Sequence, residues 1–176
     1  MIAVRVDPAG FDRIGQRFAV MRASIPRALS LGLNEGGDKV RTQVQRALKQ
    51  QTNVKAYSSI TKRMRTVKAG PGSLSYAIVA TGKGIPIKEF PVHLTMRGVD
   101  ADTWGVEHLF ARSFGIKGEG VGGFRARLGT ERYPIRRLYG PALPKELNRG
   151  VVPSVFVLSA GEFVPPAIMR QLARVM

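Results

Sequence analysis

The hydrophobic period of this chain changes once, near residue 65, and that change limits the fold more than any other feature. Before it, apolar residues recur every three or four positions. Phe11, Ile14, Phe18 and Met21 form one stripe with Arg13, Arg17 and Arg22 off it, and Leu29, Leu33, Val40, Val44 and Leu48 form another. After it the pattern alternates: Leu74, Tyr76, Ile78 and Ala80 against Ser75, Ala77 and Val79, then Val92, Leu94 and Met96 against His93, Thr95 and Arg97. Helices followed by strands predict an α+β fold rather than a βαβ one. The expected arrangement has N-terminal helices packed on a central antiparallel sheet, with a glycine-rich arm and a short C-terminal helix.

Turn residues refine this. Asp7-Pro8 suits a helix start, an acceptor at the cap followed by proline where no amide is needed. Ser24-Ile25-Pro26 repeats the pattern and predicts a second helix from Pro26 to about Gln51. Gly36-Gly37 falls inside it; each glycine costs about 1 kcal/mol relative to alanine there, so the pair points to close helix packing or a kink. Thr52-Asn53 reads as a break and Tyr57–Met64 as a short third helix. Trp104–Val106 and Leu109–Phe114 read as further strands. Gly115–Gly129 holds six glycines and reads as a flexible loop or arm, reaching out through Gly118, Gly120, Gly122, Gly123 and Phe124. Phe124–Leu128 and Tyr133–Tyr139 are partners across it. Pro141–Leu147 turns into a short helix, and Pro166–Met176 is a short amphipathic terminus. With 176 residues the chain is read as one domain, helical over 1–65, mostly sheet over 66–140 with a flexible loop at 115–129, and a turn and C-terminal helix over 141–176.

Charge narrows the partners. Lys and Arg number 28 against 12 acids, a net charge of +16, and no run of five or six like charges makes a basic tail. A folded surface of this sign attracts DNA or RNA through their phosphates, or pairs with an acidic protein neighbour. There is no cysteine, which excludes a disulfide scaffold and thiolate chemistry. The first residues lack a signal-peptide core, and no run approaches the ~18 apolar residues of a membrane-crossing helix. The chain therefore reads as a soluble protein with no membrane partner.

Catalytic patterns are weak. Gly118, Gly120 and Gly123 match G-x-G-x-x-G in form, but Phe124-Arg125-Ala126-Arg127 is no helix start to receive a pyrophosphate. Lys83, between Gly82 and Gly84, lacks the Walker spacing. His93 lies opposite the apolar set of its strand, and His108 beside Glu107 has no nucleophile placed with it. Asp100 and Asp102 read as turn residues. No catalytic, cofactor-binding or metal residues are assigned, and the chain is read as a non-enzyme.

The densest unusual segment is Arg132-Tyr133-Pro134-Ile135-Arg136-Arg137-Leu138-Tyr139-Gly140-Pro141-Ala142-Leu143-Pro144. Prolines and a glycine restrict its backbone, and tyrosines alternate with arginines. One reading is a rigid exposed ledge for a partner or a phosphate backbone; the other is a strand edge and a turn whose arginines are merely solvated. The segment resembles the "R-x-P-I…L-x-G-P-S-[VI]-P" signature of the prophage minor tail protein Z family of tailed bacteriophages. Gly32-Leu33-Asn34 with Val40-Arg41-Thr42 is similar to that family's "ALN…A…VRT" helix, and Ile85–Phe90 to its "IPL…F" strand. The similarity spans roughly residues 25–176; Ala142 stands where the family often has serine, and Pro165-Pro166 is a departure.

The resemblance implies a virion protein of the phage neck or tail end, made in the host cytoplasm. Such a protein is a tail-completion or tail-terminator-like subunit joining the tail to the head connector around the DNA channel. It implies a homo-hexamer contacting neighbouring neck and tail proteins, with non-specific contact to DNA in the channel. Arg132, Tyr133, Pro134, Arg136, Arg137, Tyr139, Gly140, Pro141 and Pro144 would form the subunit or partner interface, and the glycine loop the assembly arm. The alternative is a basic nucleic-acid-binding protein for DNA packaging or architecture.

Overall fold

Pro26 does not begin a second helix. In the computed structural model, which describes residues 8–116 and 123–175 and their side chains from Ser24 onward, α1 runs unbroken from Pro8 to Thr52 with Pro26 inside it. An interior proline costs about 3 kcal/mol through its lost amide and its clash with the preceding turn. What offsets it is the buried ridge that follows at every fourth position: Ala28, Gly32, Gly36, Val40, Val44 and Leu48. Leu29 and Leu33, expected on the core side, are only half-buried. The side chains of the stripe from Phe11 to Met21 lie outside the described residues. Asn53 ends the helix in the left-handed region (φ 56°), and its amide donates to the Lys49 carbonyl at 3.0 Å.

The other elements are α2 (Ser58–Thr61), β1 (Met64–Val67), β2 (Ala77–Ala80), β3 (Val92–Thr95), β4 (Gly98–Thr103), β5 (Val106–Ala111), β6 (Ser113–Gly115), β7 (Phe124–Arg127), β8 (Ile135–Arg137), α3 (Leu143–Glu146) and α4 (Val152–Ala173). The class is α+β, with a C-terminal helix. β1 and β2 pair alone, while β3-β4-β5 and β6-β7-β8 are antiparallel meanders.

In space the chain forms two compact units. One comprises Met1–Val40, Val67–Ala77 and Ser159–Met176; the other comprises Arg41–Thr66 and Ile78–Leu158. In the first, glycines let backbones touch. A Cβ on Gly32 would stand 2.6 Å from Cα of Ile168, and one on Gly36 2.7 Å from Cα of Val164, both on α4. The Gly36-Gly37 pair therefore serves packing and produces no break. Around it, Asn34 brackets the backbone of Ala69 with two hydrogen bonds, and Asp38 accepts from Tyr76 at 2.8 Å and from Lys68 at 3.2 Å. Glu35 accepts from Arg170 and Gln171.

The second unit has its own core of Leu48, Ile60, Ile85, Ile87, Phe90, Val99, Leu143 and Val152, each at most 1% exposed. Here Asp100 and Asp102 are corrected: they lie in β4, the central strand of its sheet, and not in a turn. Val99, Ala101 and Thr103 face the core while the two acids face away. The alternation was hidden because aspartate, alanine and glycine are weak strand formers. Trp104 is likewise a turn residue and not a strand start. Trp104 (φ 58°) and Gly105 (φ 72°) make the two-residue connection between β4 and β5, both in the left-handed region that suits strand twist. Arg112 (φ 57°) divides the expected strand Leu109–Phe114 into β5 and β6.

α4 is the largest correction. The terminal helix starts at Val152, fourteen residues before Pro166, and holds Pro165 and Pro166 in its interior. Continuous through them, it is the one described helix long and apolar enough to cross a membrane by length and composition, contrary to the expectation that no run comes near that length. The reason is that Val155–Leu158, Phe163-Val164 and Ala167–Met169 join one helix once Pro165 and Pro166 do not end it.

Candidate interaction surface

The proline–glycine segment divides into an inner and an outer half. The inner half is held by Ile85–Phe90. Gly140 donates its amide to the Ile85 carbonyl at 2.7 Å, Ile85 donates to Pro141 at 2.9 Å, and Ile87 donates to Leu138 at 3.2 Å. Ile85–Ile87 and Leu138–Pro141 are thus paired to each other. A Cβ on Gly140 would lie 2.8 Å from Cε2 of Phe90, a ring with no exposed surface, so only glycine lets the backbone lie against it. Leu138, Pro141 and Leu143 are buried alongside. Gly140 and Pro141, expected at an interface, therefore belong to the core of this unit. Pro144 is half-buried in the first turn of α3.

The outer half is different. Arg132, Tyr133, Pro134, Arg136, Arg137 and Tyr139 are all exposed, Tyr133 at 65% and Tyr139 at 44%. The Arg132 guanidinium lies 5.7 Å from the centroid of the Tyr133 ring, and the Tyr133-Pro134 peptide is cis. Of the expected interface residues, these six are brought together on one accessible stretch around β8.

Arg63 anchors Ile85–Phe90 in turn. It holds Glu89 through both guanidinium nitrogens, at 2.9 and 3.1 Å, and also donates to the Ser59 carbonyl. Burial raises the pKa of Glu89, but the hydrogen bonds from Arg63 and Ser59 and the Arg63 charge outweigh it. The carboxyl titrates below its ordinary value.

Phe124, expected on the arm, is a strand residue. Phe124 lies in β7, between β6 and β8, and Gly123 directly precedes it; Gly118, Gly120 and Gly122 lie outside the described residues. The pairing of Phe124–Leu128 with Tyr133–Tyr139 is realised as β7 against β8, with Arg125 opposite Arg137 and Arg127 opposite Ile135.

His93 sits opposite Asp100 across β3 and β4, and the His108 ring meets the Trp104 ring edge-on at 5.7 Å. Among the described residues no group of three or more histidines and carboxylates is placed to hold a metal ion. Sequence reasoning did not single out Arg112, Arg125 and Arg127; the register sets Arg125 opposite Arg137, and the Arg127 amide donates to the Arg112 carbonyl at 3.1 Å. The signal was the alternation Arg125-Ala126-Arg127 beside a second arginine-rich strand. Compared with known proteins, the chain matches no family model, no curated protein and no solved structure.

Proposed function

We propose that this protein is a structural virion subunit of a tailed bacteriophage, a tail-completion or tail-terminator-like ring component joining the tail to the head connector around the DNA channel. It performs no reaction. The observation that supports this reading is the division of the signature segment: its backbone is locked against Phe90, while Arg132, Tyr133, Arg136, Arg137 and Tyr139 stay exposed beside it. A ring made by head-to-tail contact needs such a surface, rigid in backbone and rich in arginine and tyrosine, to meet a different patch on its neighbour. Six copies at +16 each would carry a formal charge of +96 around a channel for DNA.

The test is mass spectrometry of purified particles together with imaging of the neck at subunit resolution. The protein is expected in the particle, in a ring between head and tail. Its absence from assembled particles refutes the reading.

A further inference from the structure

The antiparallel register of β6-β7-β8 puts Phe114, Arg125 and Arg137 side by side on one face, with Arg127 and Ile135 in the next row of that face. No acidic residue lies in any of the three strands. Arg112, Arg127 and Arg137 are exposed and form no ion pair among the described residues. Arg112 and Arg127 line an open cavity of about 390 Å³ together with Phe114 and Thr130, and the Arg127 guanidinium lies 5.6 Å from the Phe114 ring centroid. Arg125 and Arg137 border a second, smaller depression with Lys88 and Tyr139.

Arg112, Arg127 and Arg137 therefore leave exposed guanidinium groups on a face bordered by aromatic rings, with no acid in its strands, which suits a phosphate backbone. Guanidinium forks match phosphate oxygens two at a time.

We propose that this face of β6-β7-β8 binds the phosphate backbone of nucleic acid without base preference, through Arg112, Arg127 and Arg137. Phe114 and Tyr139 are placed to contact sugar or base. The site does not depend on the neck assignment. A protein that binds DNA here yet never enters particles keeps the site and removes that assignment, and the reverse result removes only the site.

Fluorescence anisotropy with short DNA duplexes of two unrelated sequences, titrated with salt, tests it. The wild-type protein should bind both alike, with affinity falling linearly on a logarithmic salt scale. Arg112→Gln with Arg127→Gln, which leaves Arg136 and Arg137 intact, should reduce the slope by about 2, near 0.9 for each lost phosphate contact. Lys55→Gln with Lys62→Gln removes the same charge from exposed positions elsewhere in this unit and should leave the slope nearly unchanged. Circular dichroism checks the fold; if the double variant melts early, Arg127→Gln alone should lower the slope by about 1. The proposal is overturned if wild-type protein does not bind, if the lysine control loses as much, or if the arginine variant keeps its slope. Equal binding of poly-glutamate at the same ionic strength would overturn it too, by making the face a dock for an acidic protein.

Discussion

Gly140 lies against the ring of Phe90, so close that a Cβ would stand 2.8 Å from Cε2 and 3.1 Å from Cζ. The corner that looked like an interface motif is, on its inner side, a core contact. Gly140→Val should destabilise this unit by about 1–3 kcal/mol through overpacking, and Phe90→Ala by about 3–5 kcal/mol through loss of a buried ring. Urea midpoints compared with wild type would check both; a midpoint unchanged by Gly140→Val would contradict the close approach.

Two glycines in the other unit should respond with opposite signs. A Cβ on Gly36 meets the α4 backbone at 2.7 Å, whereas one on Gly161 has no atom within 4 Å. Gly161→Ala should stabilise by about 1 kcal/mol, the ordinary gain in helix propensity. Gly36→Ala should destabilise by about 1–3 kcal/mol despite the same gain, because a packed backbone must move. Thermal melts of the two variants measure the contrast.

Glu89 couples stability to acid. Its folded pKa lies below its unfolded one, so its contribution is fully present above the unfolded value of about 4.3 and is lost as pH falls through the folded value. Glu89→Gln should cost about 1–2 kcal/mol at pH 7, typical of a hydrogen-bonded charge pair that is partly solvated. The gap between variant and wild type should close as pH drops below the folded pKa. Denaturant midpoints across a pH series measure it, and a gap independent of pH would remove the electrostatic account.

Arg136 and Arg137 sit on the exposed side of the signature. Reversing both to glutamate should leave the melting temperature within a few degrees of wild type but lower the yield of complete particles by roughly tenfold or more, since like charges set against each other across an interface cost several kcal/mol. Unchanged yield in a complementation assay would mean that these arginines are solvated and touch no partner in the particle.

Residue-level reading reached part of this architecture. The switch from three- and four-residue steps to alternation foretold helices then strands, Asn53 foretold the end of α1, and the spacing of Phe124–Leu128 and Tyr133–Tyr139 foretold β7 against β8. Each of these depends on neighbours along the chain. The misses share a cause. Pro26, Pro165 and Pro166 break helices in isolation, yet they sit inside α1 and α4. Asp100 and Asp102 prefer turns, yet β4 pairs on both sides and holds them extended.

The candidate surface divides in the same way. Its arginines and tyrosines, exposed in the structure, were legible from composition alone. That Gly140 and Pro141 face inward was not, because burial depends on Phe90, fifty residues earlier in the chain. Nor was the arginine face of β6-β7-β8, which exists only once strand register aligns Arg125 with Arg137. Sequence alone determined the kinds of element, the charge and the stiff corner, all consequences of local backbone preference and side-chain chemistry. Tertiary structure alone decided which breakers were overruled and which charges came together, because those outcomes depend on packing and hydrogen bonds between residues far apart in the chain.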